Sequence, residues 1–187
     1  MIVNPESSLL PAGFSDMLFP EAENEAFVLK RIIAAFNRNG YAQVKLPLLE
    51  FEETLFNGTG IAMTEQTFRL MDPMSQKMMG IRADMTPQIA RVATTRLSEE
   101  PRPLRLCYSG QVLRTLGSQL RPARQFTQVG AEIIGTTSPI ADAEVILMAL
   151  SALAEIGIQN ISVDLGLPRL IPELIEACKI TKSVSQK

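Results

Sequence analysis

Gln128, Gly130 and Glu132 are spaced two residues apart in the segment Arg124-Gln125-Phe126-Thr127-Gln128-Val129-Gly130-Ala131-Glu132-Ile133-Ile134-Gly135. On a strand they share one face, while Thr127, Val129, Ala131 and Ile133 share the other. The second set is an ordinary buried face. The first places an amide, a bare backbone and a carboxylate where a core-facing strand would carry apolar groups. Such a row needs a polar partner. An amino-acid-sized ligand with an ammonium and a hydrogen-bonding side chain would suit it. A buried polar network stabilising the sheet is the alternative reading. Arg114 ends the preceding strand, and its planar, permanently charged fork suits a carboxylate or a phosphate, or else an interstrand ion pair.

Other chemistries are excluded by what the 187 residues lack. No histidine occurs, which removes imidazole from every mechanism and argues against a zinc site. Cys107 and Cys178 stand in no metal or redox spacing and read as buried reduced thiols. There is no Gly-rich loop followed by Lys and Ser/Thr. Gly58-Thr59-Gly60 has no acidic pair immediately before it, so it does not make a phosphoribosyl-diphosphate loop. Glu52-Glu53 and Glu99-Glu100 are adjacent, so neither pair shares a face, and both read as solvated. Met71, Met74, Met78, Met79 and Met85 read as adaptable packing.

At 46% apolar residues the chain is globular, and 18 basic against 20 acidic residues leave no basic stripe for nucleic acid. No basic-then-apolar leader opens it. Its longest apolar run, 145–154, is shorter than the roughly 20 residues that a spanning helix needs. A cytoplasmic protein with no cofactor, no nucleic acid and no membrane partner is expected.

The elements that would position these side chains follow from periodicity and punctuation. Pro20 opens a helix with Ala22, Ala26, Leu29, Ile33 and Phe36 on one face, and Gly40 ends it. Residues 41–50 are extended, with Pro47 marking an edge or interface strand. Residues 67–71 and 77–82 flank a hairpin turn at Asp72-Pro73-Met74-Ser75. Thr86 caps a helix that has Pro87 as its first residue and runs to about Arg96. Ser138-Pro139 starts a helix to about Ile156, closed by Gly157. Residues 161–165 read as a strand, 171–178 as a short helix, and 181–187 as a fraying tail. Hairpins with interspersed helices and no regular βαβ repeat predict an α+β domain around a mostly antiparallel sheet.

The hairpin closed by Arg114 and Arg124 resembles motif 2 of class II aminoacyl-tRNA synthetases, in the histidyl-tRNA synthetase version. Leu10-Pro11-Ala12-Gly13-Phe14-Ser15-Asp16 is similar to that family's opening loop. Residues 40–50 look like motif 1, with Pro47 at its characteristic proline. Ile81-Arg82-Ala83-Asp84-Met85-Thr86 matches the family's L-R-P-E-G-T signature. Leu116 stands where a synthetase has the acidic residue that helps to hold ATP. With the run Asp84-Met85-Thr86-Pro87-Gln88-Ile89-Ala90-Arg91, it makes the chain resemble the paralogues that act as regulatory subunits of ATP phosphoribosyltransferase.

This resemblance spans residues 1–180 and implies the N-terminal portion of a longer class II synthetase-like protein. It implies an inherited histidine-like pocket of Asp84, Thr86, Arg114, Gln128 and Glu132, with no catalytic residues and no metal. Asp84 is one carbon shorter than the family's Glu, and for Thr86 the helix-cap reading stands beside ligand contact. Arg82 and Arg124 are left between phosphate contact and structural pairing. The implied partners are a short-form catalytic subunit, a second copy meeting at Pro47 through motif 1, and L-histidine. Histidine would sit in the inherited pocket or between unlike subunits, and the drift at Leu116 and Asp84 favours the latter. The alternative is the catalytic portion of a histidyl-tRNA synthetase.

Overall fold

The computed structural model describes residues 10–120, 122–166 and 170–177. The elements in chain order are α1 (Glu21–Arg38), β1 (Ala42–Gln43), β2 (Leu49–Phe51), α2 (Glu52–Leu55), a 3-10 segment (Gly58–Gln66), β3 (Arg69–Met71), β4 (Met78–Ile81), α3 (Thr86–Thr94), β5 (Leu104–Leu113), β6 (Gln125–Ile134), α4 (Pro139–Glu155) and α5 (Leu170–Ala177). Cys178 and the tail 181–187 lie outside the described residues.

The fold is organised on the long hairpin of β5 and β6, which pair antiparallel from Leu104↔Ile134 to Leu113↔Gln125, with Tyr108 opposite Gly130. β1 adds to β5 in parallel, giving the order β1-β5-β6. A second, antiparallel sheet has the order β2-β4-β3. Period-2 alternation gives the hairpin two different faces. On one, Cys107, Val129, Ala131 and Ile133 pack with Ile32, Ala35 and Phe36 of α1 and Met148 and Ala152 of α4. On the other, Leu104, Leu106, Tyr108, Val112, Phe126 and Ile134 pack with Met85, Ile89 and Ala93 around α3. The predicted α+β architecture is observed.

Most predicted elements are present, with three corrections. The inward face of α1 is centred on Ile32, Ala35 and Phe36, whereas Ala26 is exposed. α1 is held jointly by β5 and α4, and that joint contact rotates it from the periodicity expected of a single packing surface. Residues 161–165 form no strand. Val163 and Leu165 are exposed, and alternation without a paired edge gives no ladder. Thr86 does not cap α3 with its hydroxyl. The backbone N–H of Thr86 instead donates to Asp84 Oδ1 at 3.0 Å, so the aspartate two residues upstream satisfies an otherwise orphaned donor.

The turn at Asp72 forms as expected, its carboxylate accepting from the backbone N–H of Met74 and Ser75 at 3.2 and 3.1 Å. Gly40 ends α1 with φ +81°, a conformation in which a side chain would be strained. Ser138 caps α4, its hydroxyl oxygen accepting from the N–H of Ile140 at 3.3 Å. Among the described residues no helix is long and apolar enough to cross a membrane.

Candidate functional site

Arg82 anchors the site and is almost wholly buried, with 5% exposed. Its Nε donates to the Gln111 carbonyl at 2.8 Å, and Nη1 donates to the carbonyls of Leu46 at 2.9 Å and Pro47 at 3.3 Å. Burial lowers the pKa of this guanidinium and Glu50 partly opposes the effect. The backbone of Arg82 bonds in both directions, its N–H to Leu48 O and its carbonyl from Leu113 N. One residue thereby ties both sheets and fixes the start of the loop that carries Asp84. Of the two sequence readings of Arg82, structural pairing is the one observed.

Ala83 and Met85 are buried on either side of Asp84. With its neighbours turned inward, the Asp84 carboxylate is turned toward the hairpin. There Gln128 meets it, with Nε2 donating to Asp84 Oδ1 at 2.8 Å and Oε1 accepting from the Met85 N–H at 2.9 Å. Both ends of this amide hold the loop, so Gln128 positions Asp84.

Glu132, beyond Gly130 on the same face, accepts from the Tyr108 hydroxyl at 3.2 Å. That hydroxyl also lies 3.3 Å from Thr86 Oγ1. Burial raises the Glu132 pKa. Hydrogen bonds from Tyr108 and Thr86 partly offset this, and the neighbouring Asp84 carboxylate adds to it. Burial pushes the Tyr108 phenol up to about 12, so it stays a proton donor. Two carboxylates in one half-buried cluster favour a cationic guest.

Gly130 is glycine because of Tyr108. A Cβ there would stand 2.5 Å from the phenol oxygen and 2.6 Å from the ring carbon bearing it. The bare backbone in the polar row therefore makes room for a neighbouring ring. Tyr108 was absent from the residues singled out in the sequence, yet a signal existed. Pairing Arg114 with Arg124, whose backbones do bond, and counting back along both strands brings Tyr108 opposite Gly130.

Arg114 lies beside this cluster. Its Nε donates to the Ala83 carbonyl at 3.3 Å and its guanidinium lies over the Phe126 ring at 5.1 Å. With Leu116, Gly117, Ser118 and Leu120 these two residues line an open cavity of about 300 Å³. Leu116 projects there with 76% of its surface exposed. Arg124 is structural: it sits between the rings of Phe14 and Phe68 at 4.8 and 4.9 Å. Its Nη1 donates to the Ala12 carbonyl at 3.0 Å, closing the opening loop over the hairpin.

Pro47 is outside the cluster but connected to it. Its carbonyl accepts from Arg82 and also from Gln88 Nε2, the latter at 2.9 Å. Gln88 Nε2 also donates to Glu50, which is ion-paired with Arg91 of α3. Glu50, Gln88 and Arg91 were not singled out in the sequence either. The structure thus gathers Asp84, Thr86, Gln128 and Glu132 around Tyr108, sets Arg114 at the rim, and leaves Pro47 exposed behind them. Among the described residues no group of His, Cys, Asp and Glu could hold a metal ion.

A two-faced motif 2 hairpin with this cluster defines the class as a class II aminoacyl-tRNA synthetase-like fold. Consistent with that, a histidine–tRNA ligase subunit from Alicyclobacillus acidocaldarius superposes with a TM-score of 0.75 at 30% identity, covering 95% of this chain and 51% of that one. A structure described as an ATP phosphoribosyltransferase regulatory subunit/histidyl-tRNA synthetase from Bacillus halodurans gives 0.71 at 30% identity, covering 85% and 40%. The histidyl-tRNA synthetase family model matches residues 13–187, and the chain belongs to that family. Within it, the chain is 54% identical over 181 residues to the ATP phosphoribosyltransferase regulatory subunit of Rhodospirillum centenum, covering 97% of this chain and 47% of the relative. The chain spans about half the length of the curated relatives it matches.

Proposed function

We propose that the chain belongs to the regulatory subunit of a hetero-oligomeric ATP phosphoribosyltransferase. In this reading it is non-catalytic. It activates a short-form catalytic subunit that joins ATP to phosphoribosyl diphosphate, and it helps to confer feedback inhibition by L-histidine. The observation that carries this is the contrast between two neighbouring sites. The polar cluster around Asp84 and Glu132 is present and hydrogen-bonded through Gln128, Tyr108 and Thr86, while Leu116 puts an exposed isobutyl group beside Arg114. An isobutyl group offers ATP none of a carboxylate's polar contacts. The 54% identity to a relative of that name supports the same assignment.

Inhibition of this kind requires L-histidine to bind unequally to two states of the assembly, with a coupling of typically ~1–3 kcal/mol. Its place is the inherited pocket or the interface between unlike subunits. A homodimer through motif 1, with Pro47 at or near its two-fold interface, completes the assembly.

The direct experiment follows phosphoribosyl-ATP formation by the host's purified catalytic subunit, with and without the full-length protein, as L-histidine is titrated. Activity that rises with the protein and falls with histidine supports the regulatory role. Indifference overturns it, and pyrophosphate exchange dependent on histidine and ATP would then establish the synthetase reading. The location of histidine has its own test. Glu132→Ala should weaken histidine held in the pocket by roughly 1.5–3 kcal/mol, the scale of a hydrogen bond to a charged group. Unchanged binding by calorimetry would place the ligand outside this pocket.

A further inference from the structure

Tyr108 is exposed at only 3% and stands at the centre of the cluster. Its ring occupies the gap left by Gly130 on the neighbouring strand, where any Cβ would collide with it. Its hydroxyl is 3.2 Å from Glu132 Oε1 and 3.3 Å from Thr86 Oγ1. A phenol has one proton and an ionised carboxylate has none, so Tyr108 donates to Glu132. The Thr86 hydroxyl is left to donate to the phenol oxygen or to the carboxylate itself. Of the acceptors a buried phenol could take, this one faces the side-chain carboxylate of the polar row, and Gly130 leaves the room for it.

We propose that Tyr108 is a positioning residue of the pocket, whose hydroxyl, steadied by Thr86, orients the Glu132 carboxylate and keeps it charged for a ligand ammonium or imidazolium. This rests on the reading of the cluster as an amino-acid pocket, and it adds the group that prepares the acid before any ligand arrives. Among the described residues, the groups acting on the Glu132 charge are Tyr108 of β5, Thr86 of α3 and Asp84 of the β4–α3 loop. Tyr108 and Thr86 favour the ionised acid, whereas burial and Asp84 oppose it. Without the phenol hydroxyl, Glu132 takes up its proton at a higher pH.

Tyr108→Phe keeps the ring over Gly130 and removes only the oxygen. In the full-length protein without ligand, the Glu132 side-chain carboxyl is followed by carbon NMR as pH is varied. Its midpoint should rise by roughly one pH unit in the variant, the scale of one hydrogen bond to a charge. Thr86→Val should move it the same way by less. Superimposable titrations of wild type and Tyr108→Phe overturn the proposal. L-histidine binding is then measured across the same pH range. The variant should lose affinity by about tenfold below its new midpoint and approach wild type above it. If the midpoint rises but the wild type binds no histidine, Tyr108 still sets the Glu132 charge, and the pocket reading is the part that fails.

Discussion

Arg82→Met lowers the free energy of unfolding by about 3–5 kcal/mol, the combined worth of two strong hydrogen bonds from a charged group. The methionine approximates the volume of the stem but leaves the carbonyls of Gln111 and Leu46, and the more distant Pro47, facing no donor. Against a total of ~5–15 kcal/mol for a typical domain this is a large loss. Urea unfolding followed by circular dichroism measures it. A change within about 1 kcal/mol would mean that water reaches those carbonyls at little cost. Arg82→Lys should recover only part of the stability, because one ammonium cannot imitate a fork that donates in separate directions. Asp84 follows two residues later, so any histidine binding in the inherited pocket should fall in both variants even under conditions where they stay folded.

Gly130→Ala loses roughly 1–3 kcal/mol of stability, the usual cost of forcing atoms into a filled space. The new methyl lies 2.5 Å from the Tyr108 oxygen and 3.0 Å from a second ring carbon, so the ring itself has to move. Tyr108 cannot move without giving up Glu132 and Thr86. The variant should therefore fold, with a depressed melting temperature, and lose most of any histidine binding that the inherited pocket provides. Full binding at normal affinity would show that the ring can turn aside freely and that Gly130 is not a steric requirement. The two losses separate by size: Arg82→Met acts mainly on stability, Gly130→Ala mainly on the site.

The hairpin, the turn at Asp72 and the three longest helices were legible because each is written in local signals. These are alternation through β6, an Asx-type turn with Pro73, a proline at the first turn of α3 and α4, and glycine after α1 and α4. The polar row was legible for the same reason, since Gln128 and Glu132 break an apolar alternation. What failed needed a partner to be known. Val163 and Leu165 alternate like a strand, but alternation says nothing about whether an edge is present. The inward face of α1 depends on α4, which lies more than 100 residues away in the chain. Thr86 has the composition of a helix cap, yet Asp84 reaches the same N–H and leaves the hydroxyl for Tyr108. Arg82 was ambiguous because a buried guanidinium and a phosphate-binding one have the same sequence signature. Only the three backbone carbonyls around it distinguish the two.

The carbonyl of Pro47 receives Arg82 from one side and Gln88 from the other, and Gln88 is only 1% exposed. Each donor is shared, Arg82 Nη1 with the Leu46 carbonyl and Gln88 Nε2 with Glu50, so the Pro47 carbonyl is one node of a continuous network. The exposed ring of Pro47 is therefore the outer end of a hydrogen-bonded path into the molecule. Its inner end is the short loop that carries Asp84, between Arg82 and Gln88 along the chain.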